Sequence, residues 1–226
     1  MERRNILRIA KFTDLLMVDT IESGEKMVNL SKTMKNCVCV YQNHEMAPYV
    51  GEDLWVRESV AVKLQFIANS IHEFRPTWRL KITYGYKHPE VQQLIFERRK
   101  EELRVKIKNV SEPFLIELTN KITAYPETAG HPTGGAIDVT ITTPDGDLDM
   151  GTKVSDCSDT KKIRTYDESL TTEQEDNRKI LHFYMVAQDF APYYGEWWHF
   201  SYGDKEWAFF WNYPNAIYGQ LDFRTV

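Results

Sequence analysis

The sequence has no apolar run approaching the roughly 18 residues of a membrane span, and no concentration of lysine and arginine of the kind a nucleic-acid surface needs. Its 28 basic residues are outnumbered by 33 acidic ones, for a formal net charge of −5. Basic residues are scattered, apart from a mixed run over residues 97–108 that reads as the solvated face of a helix. Nucleic acid and membrane are thereby excluded as expected partners. Repeats, low-complexity stretches and linkers are also missing, and 226 residues are enough for one well-buried core but few for two. Cysteine is scarce: Cys37, Cys39 and Cys157 make an odd count, and Cys37-Val38-Cys39 lacks the two-residue gap of a zinc knuckle or redox pair. The expectation is reduced thiols in a reducing compartment. The opening residues 1–10 carry positive charge but break off before any apolar core of a signal peptide. A cytoplasmic protein is expected, or a periplasmic or cell-wall one if an export signal has been removed.

What the chain does contain is a globular composition, 42% apolar and 27% charged, with a high 13% of aromatic residues. Val60, Leu64, Ile67, Ile71 and Phe74 recur at helical spacing, and Arg75-Pro76 closes that run. Leu80, Ile82 and Tyr84 alternate with polar residues, which is the period of a half-buried strand leading to a turn at Gly85-Tyr86. A second helix is expected from Pro89, with Val91, Leu94 and Ile95 inward, and another after Ser111 and Pro113. Residues 136–142 read as a strand ended by Pro144-Asp145-Gly146, and Thr172 with Glu175 reads as a capping box for a further helix. Residues 197–210 suggest a hairpin about Gly203-Asp204. Residues 34–41 alternate poorly and are left open. The fold class is α+β: a small antiparallel sheet flanked by helices, in one domain with a central cleft.

Two segments carry chemistry. In Gly130-His131-Pro132-Thr133-Gly134-Gly135-Ala136-Ile137-Asp138, glycines let the chain turn tightly, so an imidazole on a loop and a carboxylate on the following strand can converge on one ion. On that strand Ile137, Val139 and Ile141 face one way and Asp138 the other. In Gly195-Glu196-Trp197-Trp198-His199, a carboxylate precedes a histidine by three residues, so a shared site requires a bulge or turn at Trp197-Trp198. Two imidazoles and one carboxylate satisfy a zinc ion and leave an open position, and a further free carboxylate can take a proton from water. His44, His72, His88 and His182 have no partner at suggestive spacing, and Trp197 and Trp198 read as core and pocket wall.

His131-x-x-Gly134-x-Ala136-x-Asp138 followed by Glu196-x-Trp198-His199 resembles the paired signature of the zinc D,D-peptidases. That group holds the D-alanyl-D-alanine dipeptidases of the VanX kind and the D,D- and L,D-carboxypeptidases of peptidoglycan. The doubled tryptophan and Met150-Gly151-Thr152 are similar to the dipeptidase branch. The similarity runs from about residue 53 to the C-terminus, so residues 53–226 are expected to form the catalytic core and 1–52 an N-terminal segment of the same unit. The resemblance implies one Zn2+ per chain held by His131, Asp138 and His199, with Glu196 as general base. It also implies hydrolysis of D-alanyl-D-alanine or a similar short D-amino-acid dipeptide by zinc-activated water. Where the family has an arginine in a Gly-Tyr-Arg pattern, this chain has Lys87, which keeps the charge but loses the two-pronged donor geometry; Arg79 is a second candidate for that task. Ala129 stands where the family has serine. Ser155, with Asp156 beside it, stands where the dipeptidases have an aspartate that holds the substrate's ammonium group. These departures keep two other readings open: a D,D- or L,D-carboxypeptidase acting on peptidoglycan stem peptides, and a zinc-containing binding module without turnover. The sequence does not give the oligomeric state.

Overall fold

The computed structural model describes residues 9–40 and 44–225, so most of the opening segment and Tyr41 lie outside the described residues. The chain begins with helix α1 (Phe12–Leu16), strand β1 (Asp19–Thr20), strand β2 (Met27–Asn29), short helix α2 (Leu30–Thr33) and strand β3 (Cys37–Cys39). Helix α3 (Ala47–Val50), strand β4 (Trp55–Arg57), helix α4 (Glu58–Phe74), strand β5 (Arg79–Tyr84), helix α5 (Pro89–Lys106) and helix α6 (Glu112–Asn120) follow. The second half holds β6 (Ala136–Thr143), β7 (Gly146–Asp147), α7 (Thr172–Val186), β8 (Ala191–Pro192), β9 (His199–Ser201), α8 (Lys205–Trp211) and β10 (Asn215–Ala216).

The main sheet runs β3-β5-β6-β9-β8, with β7 folded back onto β6. It is antiparallel except for the parallel pair β3–β5. The sheet is thus mainly antiparallel as expected, with one parallel pair: β3 and β5 are joined by a long crossover through α4, which delivers the second strand in the same direction. Two smaller ribbons, β1–β10 and β2–β4, tie the N-terminal segment to the rest.

Helix α4 buries Val60, Leu64, Ile67, Ala68 and Ile71 against the sheet and ends at Phe74, before the Arg75-Pro76 stop. Phe74 itself is 49% exposed, because the stripe runs out at the last turn. Leu80, Ile82, Ile137, Val139, Ile141, Leu181, Met185 and Phe200 complete the core and are 1% exposed or less. Removing that much apolar surface from water supplies the main driving force for folding.

Three local expectations are corrected. On α5 the inward residues are Val91, Gln92 and Phe96, while Leu94 is 57% exposed; it sits between the two spacings that face the core. The cap of α7 is Thr171, whose hydroxyl accepts from Gln174 N at 3.2 Å while the Gln174 side chain accepts from Thr171 N, one residue ahead of the Thr172–Glu175 reading. After β9 the chain does not turn back as a hairpin. Asp204 Oδ1 accepts from Trp207 N at 2.9 Å, and this cap starts α8.

Arg57, 1% exposed, links three distant segments. Its guanidinium makes a two-pronged pair with Glu22 at 2.9 and 3.0 Å, and its Nε donates to the Thr133 carbonyl at 2.8 Å. Its backbone N–H donates to the Gly134 carbonyl at 2.9 Å. Arg57→Ala is expected to lower unfolding stability by about 3 kcal/mol, since it strips both the paired charge and the carbonyl of their donor. Urea titration checks this, read as a lower midpoint at unchanged slope. Among the described residues no helix is long and apolar enough to cross a membrane.

Candidate active site

The site is assembled by strand register. Asp138 on β6 stands directly opposite His199 on β9, so the carboxylate and the imidazole share a face. On its other side the β5–β6 register shifts between Ile82 and Tyr84, and this irregularity brings Tyr84 opposite Asp138. Regular pairing from Ile82–Val139 would have placed Tyr84 against Ile137 instead. The shift therefore aims the end of β5, and Gly85-Tyr86-Lys87 after it, at the carboxylate.

His131 arrives from below the strand in a single 3-10 turn, His131–Thr133, with Pro132 in its first turn and the Thr133 hydroxyl donating to the Gly130 carbonyl at 2.7 Å. Gly134 ends the turn in the left-handed region at φ +74, where a side chain would be strained and would meet Met27 Sδ at 2.7 Å. His131 Nδ1 donates to the Gly85 carbonyl at 2.8 Å. That bond leaves Nε2 bare and facing Asp138 Oδ1 at 3.5 Å. His199 meets the same oxygen through Nδ1 at 3.0 Å.

The ligand atoms of His131, Asp138 and His199 all lie within 4.8 Å of one another. Bonds of about 2.0–2.2 Å to a tetrahedral ion place neighbouring donors about 3.3–3.6 Å apart, and three donors leave a fourth position open. The residues present therefore fit a divalent metal. At His131 and Asp138 charge agrees with geometry. Burial lowers the His131 pKa, which favours the neutral ring that a metal requires, although Asp138 works the other way. Burial also opposes ionisation of Asp138, yet His131 and His199 outweigh it and hold that carboxyl well below the usual range. For His199 burial again opposes charge, and the carboxylates of Asp138 and Glu206 win, raising its pKa well above the ordinary value.

Glu196 lies in the loop between β8 and β9. Its N–H donates to the Tyr193 carbonyl at 3.1 Å, and His199 N–H donates to the Glu196 carbonyl at 3.2 Å. These two tight bonds are the turn at Trp197-Trp198 that brings residues three apart to one side. Burial pushes the Glu196 carboxyl up to about 7, with Asp138 and Glu206 adding to the effect and His199 and Lys87 opposing it. Trp197 and Trp198, 3% and 1% exposed, pack at 85° to each other, and Trp197 Nε1 donates to Thr152 Oγ1 at 2.8 Å.

One cavity of about 210 Å³ joins these groups. Lys87, His131, Asp138, Glu196 and His199 line it, as does Ser155, which holds a left-handed φ of +61. Asp156 is not among its walls: it is exposed, and its carboxylate accepts from Ser158 N at 3.1 Å. Arg79 is also elsewhere. It pairs with Thr142 at the far end of β5, and its guanidinium is spent on His72 Nδ1 and the carbonyls of Pro76 and Trp78. Lys87 lies over the Tyr84 ring at 4.8 Å. Burial lowers its pKa, and Asp138, Glu196 and Glu45 pull it back up.

Many walls of the cavity had no signal in the sequence, among them residues from distant segments. Ala10 and Leu15 come from the N-terminal segment, Gln92 from α5 and Glu206 from α8. Cys157 also lines it, with a thiol that burial pushes up to about 12 and so keeps protonated.

Residues 56–218 match the Peptidase M15 family, D-ala-D-ala dipeptidase. A D-alanyl-D-alanine dipeptidase of Synechocystis sp. is 24% identical, with 78% of this chain and 83% of that protein covered. Among solved structures, the LD-carboxypeptidase LdcB is similar at 16% identity and a TM-score of 0.47, covering 91% of this chain and 88% of that one. VanYB in complex with D-Alanine-D-Alanine is similar at 17% identity and a TM-score of 0.45, covering 86% and 89%. The family match spans well over half of the chain and contains every residue of the His131, Asp138, Glu196 and His199 cluster, so this chain belongs to the D-ala-D-ala dipeptidase family and is a metallopeptidase.

Proposed function

We propose that the protein hydrolyses D-alanyl-D-alanine or a closely similar short D-amino-acid dipeptide, with one zinc ion held by His131, Asp138 and His199 and with Glu196 as general base. The observation that carries this reading is the convergence of two imidazoles and a carboxylate, in a cavity that also holds Glu196, a carboxyl that burial pushes up to about 7. A zinc ion so held supplies Lewis acidity toward a carbonyl and makes water acidic enough to react near pH 7. Glu196 takes the proton of the attacking water and delivers it to the leaving amine, a task for which a pKa near the working pH is best. Lys87, on the same cavity wall, donates to the oxygen on which negative charge develops.

Cavity size supports a small substrate. About 210 Å³ is below the roughly 300–1,000 Å³ of drug-sized ligand pockets, and Ala10 and Leu15 close one side with side chains that are 8% and 7% exposed. One observation favours the carboxypeptidase reading: Ser155, not a carboxylate, faces the cavity, so the wall that would neutralise a free ammonium group carries no charge. Zinc-loaded protein is to be assayed on D-Ala-D-Ala, L-Ala-L-Ala and a stem pentapeptide. D-alanine from the dipeptide is the expected product. Cleavage of the stem alone moves the protein to the carboxypeptidase branch, and silence on all three with zinc bound defeats both readings.

A further inference from the structure

Neither ring nitrogen of His199 is idle. Nδ1 is in hydrogen-bond contact with Asp138 Oδ1 at 3.0 Å, the contact a shared metal ion would replace, and Nε2 points the other way, with Glu206 Oε2 at 3.6 Å, just beyond hydrogen-bond reach. Ser201 Oγ reaches that same oxygen at 3.4 Å, which fixes the carboxylate's orientation. The Glu206 side chain is only 17% exposed. A neutral imidazole has a single N–H, and a ligating nitrogen must be bare, so whichever group accepts from the distal nitrogen decides which nitrogen can bind. For His131 the acceptor is the Gly85 carbonyl at Nδ1, leaving Nε2 for the metal. For His199 the arrangement is reversed: Nδ1 is on the metal-ligand side, and the group nearest Nε2 is the Glu206 carboxyl.

We propose that Glu206 is a positioning residue of the metal centre, which accepts the Nε2–H of His199, holds the ring in the tautomer that leaves Nδ1 bare, and strengthens it as a donor. The fold brings Glu206 there by a short route. It stands in the first turn of α8, and that helix starts at Asp204, three residues after β9 ends. Asp204 is pressed against Gly130, the residue before His131, so closely that a Cβ at Gly130 would lie 2.1 Å from Asp204 Oδ2. The helix that carries Glu206 is thus docked on the loop of one imidazole ligand and covalently continuous with the strand of the other. A carboxylate set this way acts on the ligand rather than on bulk solvent.

The inference rests on the metal-site reading, so its test separates the two. Zinc dissociation constants are measured by competition with a chromophoric chelator for the wild type, Glu206→Ala, Glu206→Gln and His131→Ala. Visible spectra of the cobalt-substituted forms and melting of the metal-free forms are recorded alongside. Glu206→Ala is expected to weaken zinc binding about 10–100-fold and to shift the cobalt bands, with little change in metal-free melting. Glu206→Gln, whose amide oxygen still accepts but carries no charge, is expected to fall between them; it carries the test if the alanine variant does not fold. Unchanged zinc affinity and an unchanged cobalt spectrum in Glu206→Ala and Glu206→Gln, with binding lost in His131→Ala, overturn the inference alone. A rise in KM for D-Ala-D-Ala at unaltered zinc affinity also overturns it, making Glu206 a substrate contact. Failure of the wild type to bind zinc defeats the metal reading itself.

Discussion

Replacing Glu196 by glutamine is expected to lower kcat for D-Ala-D-Ala by about a thousand-fold while zinc stays stoichiometrically bound. A positioned general base is worth about 10²–10⁴ in rate, and glutamine keeps the size and one acceptor of the side chain but cannot take a proton. The effect is confined to turnover because Glu196 is not among the three residues whose ligand atoms converge. The same residue sets the acid side of the pH profile. Burial raises its carboxyl from an ordinary 4.5 to about 7 in the metal-free protein, and only the ionised form is a base, so activity is lost as pH falls through the pKa this group has in the metal-bound enzyme. A cation bound next to it favours the ionised form and moves the limb below 7. Steady-state kinetics with metal analysis decide the matter: a variant that keeps a tenth or more of wild-type kcat with its full complement of zinc sinks the assignment.

The approach of His131 to Asp138 was legible because its information is local, whereas His199 came from the resemblance and reaches them only through strand register. Gly134 is written into the sequence where φ must be +74, and His131 and Asp138 sit at fixed distances on either side of it. Helix α4, strand β5 and strand β6 were legible for a similar reason, since their apolar residues repeat at the period of the element and the core accepts that face. The hairpin reading of residues 197–210 failed at one side chain. Gly203-Asp204 is a turn pair by composition, but Asp204 caps Trp207, and the aromatic residues after it bury Trp207 and Ala208 on a helix rather than alternating on a strand. The parallel pairing of β3 and the register shift at β5 were not legible either, because both are decided by partners far along the chain. The same holds for the cavity walls. Ala10 and Leu15 reach the site through packing of α1 near residues 126–128, where Phe12 lies 5.0 Å from the ring of Tyr125, and no short spacing encodes that contact. Glu206 was invisible because a glutamate early in a helix is ordinary; only the distance to His199 singles it out.

The second large effect belongs to Lys87, and it tests the one catalytic position at which this chain departs from the pattern it resembles. Lys87→Met is expected to lower kcat about 100–1,000-fold, the range seen when a single oxyanion donor is removed. Zinc content should be unchanged, and KM should move far less than kcat, because charge develops on the oxygen only along the reaction path. Lys87 is well placed for this. Its N–H donates to the His131 carbonyl at 3.2 Å, so the residue is tethered to the His131 loop, and its ammonium rests over the Tyr84 ring. Burial lowers its pKa, and the nearby carboxylates of Asp138, Glu196 and Glu45 oppose that shift without cancelling it. Lys87→Arg separates charge from geometry: a guanidinium offers a planar fork where an ammonium offers a point charge. If the site is built around a point charge, Lys87→Arg falls below the wild type even though charge is retained. If the fork is what the transition state prefers, Lys87→Arg exceeds it. Arg79→Ala serves as the control, expected to leave kcat unchanged because its guanidinium is engaged with His72 and two carbonyls at the other end of β5. A Lys87→Met enzyme with wild-type kcat removes Lys87 from the mechanism and leaves the developing charge to the metal and to backbone donors alone.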